Sequence, residues 1–475
     1  MSEGQDWISV LPDEILHHIL SFLTTKQSIQ TCILSKRWID LWKFTPVIDI
    51  QMATPYHETT PSERTFIHNT LTQHQAFKLH KFSLDFSYGA LEDAVANVQI
   101  QHYIEFAISR QVQILSVSTE LIFEEFENYY VLPNVFYSHD NVPSLEQVSL
   151  KCFLFNTNPP CDRPFASLKA LCFFNCVIDD GTLKGLLSNF PVLESLTIVF
   201  CHRLLNFKAS WCKSMRLKHL VVRGMDNPGF NLEIDSSSLS SFKVHGNSVI
   251  SVSSLSSIAE ATVFRHRYYP YVKNFDTRTW LRNLAHVKKF GVSSWFSELL
   301  AREYEVSNNG WKIFENLKVF AWFGPLETEC NLIALIDFLV HCPSLEKIEI
   351  DFRFSFSEEA GEHRPPFALE RPFVENNGDG QPTVGFLDNV KKIIVHHFFG
   401  YKSEIEFIKH LMQKAVVLET LSLTYHRLEL GPEYVSWGYT SCPPKELVQE
   451  KIFSLSTASS NVHISFHDTY HKLGF

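Results

Sequence analysis

One apolar pattern recurs along the chain and constrains its fold more than any other feature of the sequence. The pattern is apolar-x-x-apolar-x-apolar, and its best copies begin at Leu145, Leu168, Leu193, Leu217 and Leu239, 22 to 25 residues apart. The last two apolar residues of each copy are two positions apart, which is the period of a strand with one buried face. A unit of this size cannot bury its apolar face alone, so the pattern predicts units that stack on one another.

Further copies extend the stack in both directions. Earlier copies begin at Leu79 and Val112, a poor copy begins at Ile258, and later ones begin at Val287, Leu317, Leu345, Val390 and Leu418. The best spacings lie within the 20–29 residues of leucine-rich repeats, and apolar segments such as Leu183–Leu187 supply the returning helices. We therefore predict an α/β fold, with a leucine-rich-repeat solenoid (horseshoe) over residues 79–352. Terminal repeats and a C-terminal cap follow over residues 387–475.

Two compositional features fit this arrangement. The chain has 40 phenylalanines in 475 residues, against 15 tyrosines and 9 tryptophans. Many of them fall at repeat positions, which predicts fillers between layers at Phe82, Phe153, Phe173, Phe207, Phe290 and Phe320. Residues 353–386 break the period with glutamates, prolines and glycines, which predicts an exposed polar insertion loop.

The first 50 residues have a different pattern. Pro12 precedes two acidic residues and an apolar stripe at 3–4 spacing, which predicts a helix with Ile15, Leu16, Ile19 and Leu20 on one side. Thr24 is a cap for a second helix, and Ser35 for a third that carries Trp38 and Trp42. Three short helices form a small core that needs a partner or a neighbouring domain. We predict a docking module over residues 6–50 and a connecting segment over residues 51–78.

This module resembles the F-box of plant F-box proteins. The resemblance rests on Leu11–Leu23 (LPDEILHHILSFL) and Cys32–Trp42 (CILSKRWIDLW), which follow that family's spacing. It implies docking on a Skp-type adaptor and, through it, on the cullin and RING subunits of a ubiquitin ligase. The adaptor-binding residues would be Leu11, Pro12, Ile15, Leu16, Ile19, Leu34 and Trp38.

The resemblance covers the repeats too. Phe165–Leu171 and Phe190–Leu196 are similar to the repeat signature of plant F-box/leucine-rich-repeat proteins, and Val390–Leu421 is similar to the FBD module that closes many of them. It implies the substrate-recognition subunit of an SCF-type (Skp–cullin–F-box) E3 ligase. The concave strand face would bind an acidic protein segment with an apolar anchor, through Phe174, Val199, Val221, Arg223, Lys243 and His245. Two alternatives stay open: a small-ligand, hormone-type co-receptor on the same architecture, and a repeat scaffold without a ligase role.

Other function classes are disfavoured. The net charge of −10 argues against a nucleic-acid coat, although Arg265–Lys273 interleaves bases and aromatics. The chain lacks nucleophile-elbow, Walker and dinucleotide motifs, so we expect a non-catalytic protein without a cofactor. Cys176 and Cys201 each stand eight residues after a repeat start, which predicts an inward cysteine ladder rather than a metal site. Without a basic leader or a long apolar run, we expect no membrane partner and a location in the cytoplasm, the nucleus or both.

Overall fold

A computed structural model gives the fold in two compact units, Met1–Leu239 with Ser248–Ser251, and Ser240–Asn247 with Val252–Phe475. The structure describes residues 8, 10–51, 59–88, 93–121, 129–138, 140–156, 165–214, 216–224, 230–246, 249–252, 257–265, 277–304, 314–324, 329–352, 385–426 and 442–469. Most of the predicted insertion loop, 353–386, and most of Arg265–Lys273 lie outside these residues.

The first unit opens with the small helical module. Helix α1 (Asp13–Leu20) and helix α2 (Thr25–Gln30) are followed by short 3-10 turns at Thr31–Ile33, Lys36–Ile39 and Leu41–Phe44. The predicted third helix is therefore not one continuous helix but two short 3-10 turns. Tighter turns take its place because the chain bends at Asp40, which lets both Trp38 and Trp42 be buried.

The repeats of the first unit form a parallel sheet. Its strands pair in the order β1 (Val47–Gln51), β2 (Lys81–Tyr88), β3 (Ile114–Leu121), β5 (Gln147–Lys151), β7 (Ala170–Phe174), β8 (Ser195–Val199) and β10 (His219–Arg223). Short strands β4 (Tyr130–Val131) and β6 (Phe153–Leu154) pair beside it, as do β9 (Asn206–Lys208), β11 (Asn231–Ile234) and β13 (Val249–Val252). The predicted module boundary at residue 50 falls within β1.

The second unit continues the same construction. Its parallel strands are β12 (Ser241–His245), β14 (Glu260–Phe264), β15 (Lys289–Ser293), β16 (Val319–Phe323), β17 (Lys347–Asp351), β18 (Lys392–Phe398), β19 (Thr420–His426) and β20 (His463–Thr469). Neighbouring strands pair in parallel, so that Phe290, Phe320, Ile348 and Ile393 lie in one row. The register shifts once, at an irregularity in β18 between Val395 and Phe398.

Helices and turns return the chain between strands. These helices are α3 (Pro61–Gln73), α4 (Asp93–Ser109), α5 (Val135–Ser138), α6 (Asp180–Leu187), α7 (Thr277–Asn283), α8 (Trp295–Tyr304), α9 (Glu329–Val340), α10 (Lys402–Lys414) and α11 (Lys445–Phe453). Their lengths range from 4 residues in α5 to 17 residues in α4.

The core of each unit consists of the predicted repeat positions. All three apolar residues of every copy quoted above are at most 2% exposed. The predicted phenylalanine fillers are buried as well, and rings meet between layers, as at Phe165–Phe190 (5.0 Å between centroids) and Phe290–Phe314 (5.2 Å). The repeat pattern therefore predicted the core correctly, because burial of one strand face fixes the period.

A tight turn joins β18 to α10 in the second unit. In the turn between β18 and α10, one carboxylate oxygen of Glu404 accepts hydrogen bonds from the backbone N–H groups of Phe399 (2.9 Å), Gly400 (2.8 Å) and Tyr401 (3.2 Å). Gly400 has φ +80°, and a Cβ there would lie 2.4 Å from Cγ2 of Val448 on α11. This turn requires glycine, because Val448 of α11 packs directly against it.

Candidate functional site

The helical module has its own small core. Leu16, Leu20, Trp38 and Leu41 form one buried cluster, with Leu11 and Leu23 packed against it. Leu16 and Leu20 are one turn apart on α1, as are Ile15 and Ile19 on the neighbouring face. The apolar stripe of α1 thus divides into a buried edge and an exposed edge.

The turns that follow α1 expose further large apolar side chains. Ile15 and Ile19 are 46% and 38% exposed, and Phe22, Ile33 and Leu34 are 76%, 84% and 62% exposed. We call these five side chains the docking face. Nine of the eighteen exposed large apolar side chains in the described part of the chain lie between Ile8 and Phe44. Apolar surface is thus concentrated on this module, which is the mark of an interaction site.

The structure corrects two of the residues predicted to contact an adaptor. Leu16 is fully buried and Trp38 is 3% exposed, because both fill the module's own core. Pro12, Ile15, Ile19 and Leu34 lie on the surface, and Leu11 is half-buried. For these five residues adaptor binding stays a prediction. Sequence reasoning missed Phe22 and Ile33 as exposed apolar side chains of this module.

Local hydrogen bonds explain why the module holds this shape. Thr24 begins α2 as a capping box with Gln27, which satisfies free N–H groups at the helix start. The Arg37 guanidinium donates to the backbone oxygen of Leu11 (2.6 Å) and to the Asp13 carboxylate (2.5 Å). The start of α1 is thereby tied to the turn that carries Trp38.

The module is also bonded to the first repeats. The Asp49 N–H on β1 donates to Thr25 Oγ1 on α2 (2.8 Å), and His74 Nε2 donates to the Thr45 oxygen (3.0 Å). Burial, together with the nearby Arg110 charge, lowers the pKa of His74 to about 4. The ring is therefore neutral at pH 7. Arg110 donates to the backbone oxygens of His74 and Ala76, which fastens the end of α3 in place.

A second candidate surface lies on the strands of the first unit. At the carboxyl ends of the strands, Lys151, Phe174, Val199 and Arg223 occupy one register row. The Lys151 ammonium lies 5.5 Å from the centre of the Phe174 ring, within cation–π distance. Two cationic side chains therefore bracket two apolar ones along the edge.

The structure tests how far the predicted target-binding residues are accessible. Phe174, Val221 and Arg223 are half-buried and Lys243 is exposed. Val199 is only 3% exposed because it lies between the larger side chains of Phe174 and Arg223 in its row. In the second unit, His245 is 8% exposed because the Phe264 ring packs against it at 4.4 Å. Val199 and His245 are therefore corrected to buried positions, and the roles of the other four stay predictions.

Sequence reasoning missed Phe200, which follows β8. Its φ is +53°, a left-handed conformation that costs a bulky residue roughly 1–2 kcal/mol. The same place after β5, β7 and β10 is held by Cys152, Asn175 and Gly224, all with positive φ. Each of these four residues lies seven positions after the start of its repeat, which the sequence shows. Phe200 is the one bulky aromatic residue among them, and that is the signal that could have drawn attention to it.

The Phe200 ring is accommodated by its neighbours. It lies edge-to-face against Phe174, with 5.8 Å between centroids. A Cβ on Gly224 would be 2.1 Å from its Cδ1 atom, so the ring occupies the space that this glycine leaves open. Phe200 is half-buried, and its ring therefore extends the apolar part of the edge.

The cysteine ladder has the predicted inward geometry. The thiol of Cys176 donates to the oxygens of Leu150 and Phe174, and that of Cys201 donates to the oxygens of Phe173 and Val199. Burial raises the pKa of Cys176 well above its ordinary value. In the part of the chain that the structure describes, no cluster of three or more His, Cys, Asp or Glu side chains is placed to bind a metal ion. Nor does any helix there combine the length and hydropathy needed to cross a membrane.

A helical module joined to parallel strand repeats defines an F-box/leucine-rich-repeat protein, and comparison with known proteins agrees. The family described as "At1g61320/AtMIF1, LRR domain" matches residues 70–451, and the F-box domain matches residues 8–47. The chain therefore belongs to the plant F-box/LRR family, which confirms the predicted resemblance and fold class.

Three relatives from Arabidopsis thaliana show the extent of the similarity. Putative F-box/LRR-repeat protein At3g28410 is 36% identical over 196 residues, which are 41% of this chain and 38% of that protein. F-box/LRR-repeat protein At5g02910 is 34% identical over 47% of this chain and 44% of its own length. F-box/LRR-repeat protein 25 is 36% identical over 46% of this chain and 76% of its own length. The match thus spans less than half the length of the first two.

Proposed function

We propose that this protein is the substrate-recognition subunit of an SCF-type ubiquitin ligase. The docking face binds a Skp-type adaptor and, through it, the cullin and RING subunits. The strand surface binds a protein target. The chain itself carries out no bond chemistry and takes no cofactor. It raises the local concentration of the target near the ubiquitin carrier, in the cytoplasm or the nucleus.

This proposal rests on one observation: the apolar residues of α1 are divided between a buried edge and an exposed edge. Leu16 and Leu20 supply the core, so the exposed Ile15 and Ile19 are not needed to fold the module. Phe22, Ile33 and Leu34 of the same module are exposed apolar side chains as well. An apolar patch on a module already fixed by its own core and by bonds to β1 supports docking of a helical partner.

Binding of a purified plant Skp-type adaptor to the full chain tests the proposal. We expect Ile15→Asp combined with Ile19→Asp to weaken the complex at least about 100-fold, because each buried isoleucine contributes on the order of 1.5–3 kcal/mol. Val98→Asp is the matched control. Val98 is 68% exposed on helix α4, so the same apolar-to-acid change should leave adaptor binding within twofold.

The outcomes separate the alternatives. If the parent chain does not bind the adaptor, or if the double variant binds as well as the parent, the ligase role is refuted and a repeat scaffold is favoured. Circular dichroism checks that the double variant folds, which we expect because both side chains lie on the surface. A hormone-type co-receptor would be indicated if the adaptor complex forms but captures its target only with a small ligand.

A further inference from the structure

The carboxyl-end edge of the first unit has a feature that general repeat packing does not require. Phe200 adopts a left-handed backbone conformation that asparagine or glycine would adopt more easily, as at Asn175 and Gly224. Strained residues that persist in a fold are concentrated at functional sites. The ring at this position therefore calls for an explanation beyond the fold.

We propose that Phe174 and Phe200, flanked by Lys151 and Arg223, form a recognition rim for a peptide segment with an apolar side chain next to an acidic one. This inference deepens the proposed function by giving the chemistry of the target segment. The two rings are half-buried and edge-to-face, so each leaves part of its surface to an incoming apolar group.

Charge supports an acidic rather than a basic segment. Across the first unit, the register row of the rim reads Gln51, Asp85, Ser118, Lys151, Phe174, Val199 and Arg223. In this row of described strand residues the single carboxylate, Asp85, lies two strands before Lys151. The two cations are three strands apart, or about 14 Å at a strand spacing of about 4.8 Å. The rim therefore places positive charge on both sides of the rings.

The rim is held rigid by its neighbours, which lowers the entropic cost of binding. Asn175 directly follows Phe174, and its Oδ1 atom accepts hydrogen bonds from the Tyr129 hydroxyl (3.0 Å) and from His202 Nε2 (2.9 Å). Its N–H donates to the Val199 oxygen, and the N–H of Phe200 donates to the Arg223 oxygen. Each left-handed residue is thereby bonded to the end of the next strand.

A displayed library of random dodecapeptides, selected on the full-length chain, tests this inference. We expect enrichment of sequences with an aromatic or aliphatic residue within two positions of Asp or Glu. In fluorescence anisotropy with the enriched peptides, Phe200→Asn should weaken binding at least about tenfold, and Phe200→Tyr should stay within threefold of the parent. Lys151→Gln and Arg223→Gln should weaken binding and reduce its dependence on salt.

The controls change the same residue types elsewhere. The control for phenylalanine is Phe77→Asn, because Phe77 is 77% exposed. The control for lysine is Lys169→Gln, because Lys169 immediately precedes β7, away from the carboxyl end where Phe174 lies. Both should bind within twofold of the parent. Asparagine tolerates the left-handed conformation, so Phe200→Asn should unfold at a temperature close to that of the parent.

Three results overturn the inference: enrichment of basic or uncharged peptides or of none, unchanged binding by Phe200→Asn, or a loss of affinity that follows a fall in unfolding temperature across the Phe200 variants. The adaptor assay is independent of these results. A chain that binds the selected peptides but no adaptor refutes the ligase role alone, and one that binds the adaptor but no peptide refutes the rim alone.

Discussion

Replacing Glu404 by alanine should open the turn between β18 and α10. The carboxylate is 4% exposed, and one of its oxygens accepts three consecutive backbone N–H groups. Val448 lies directly against Gly400, so water has little access to the freed donors. The variant therefore leaves three buried donors without an acceptor.

The magnitude follows from the hydrogen bonds. Each buried donor that loses its partner costs about 1–3 kcal/mol, and removal of a buried carboxylate returns part of this by ending its desolvation penalty. We expect a net local destabilisation of about 3 kcal/mol for Glu404→Ala. For Glu404→Gln we expect about 1–2 kcal/mol, because a neutral amide oxygen accepts more weakly than a carboxylate.

Hydrogen exchange measured by mass spectrometry reports on this turn directly. A loss of about 3 kcal/mol corresponds to exchange on the order of 100-fold faster at the amides of Phe399, Gly400 and Tyr401. Glu406→Ala is the matched control on the same helix. Its carboxylate pairs with Lys409 at 2.9 Å on a partly exposed face, so its loss should change exchange by less than threefold. Exchange in Glu404→Ala that stays within threefold of the parent would refute the reasoning.

Three further predictions test other parts of the fold. The pKa of His74 is about 4 in the folded chain and 6.5 in the unfolded chain, so the unfolded chain binds the proton first as the pH falls. The contribution of His74 to stability is therefore complete above pH 6.5 and is lost as the pH falls towards 4. This pH-dependent part of the free energy of unfolding amounts to about 3 kcal/mol. In urea titrations, the free energy of unfolding should therefore fall less between pH 7.5 and pH 4.5 for His74→Gln than for the parent. Gly224→Ala should cost at least about 2 kcal/mol, because its φ is +65° and its Cβ would overlap Phe200; an unchanged thermal midpoint would contradict this. In native chain at pH 8, iodoacetamide should label the exposed Cys330 but not Cys212, whose pKa burial raises to about 12; equal labelling by mass spectrometry would argue against the fold.

Most of the architecture could be predicted because the repeat has a simple physical period. Leu145, Val148 and Leu150 are typical: their spacing alone places all three in the core, and the structure agrees. The pairing of β20 was not predicted, because its inward residues, Ile464 and Phe466, are only half-buried and follow no clear repeat start.

The sites were harder to predict, because periodicity identifies apolar residues without saying what covers them. On α1, Ile15 and Leu16 belong to the same stripe, yet one is 46% exposed and the other is buried. Which of the two residues is buried depends on where the turns after α2 pack against α1. At the rim, the sign of φ at Phe200 depends on hydrogen bonds to the next repeat, which no local pattern within one unit contains.

Under the proposed function, the short link between the module and the sheet would affect which lysines of a target are modified. Only Thr45 and Pro46 separate the last turn of the module from β1, and both ends are bonded in place. There is no tether across which a captured protein swings. Under the proposed function, a target on the first unit is presented at a set angle and reach from the adaptor. Ubiquitin transfer would then favour lysines in one sector of the target's surface, so that lysine placement, and not lysine number, decides the efficiency of modification.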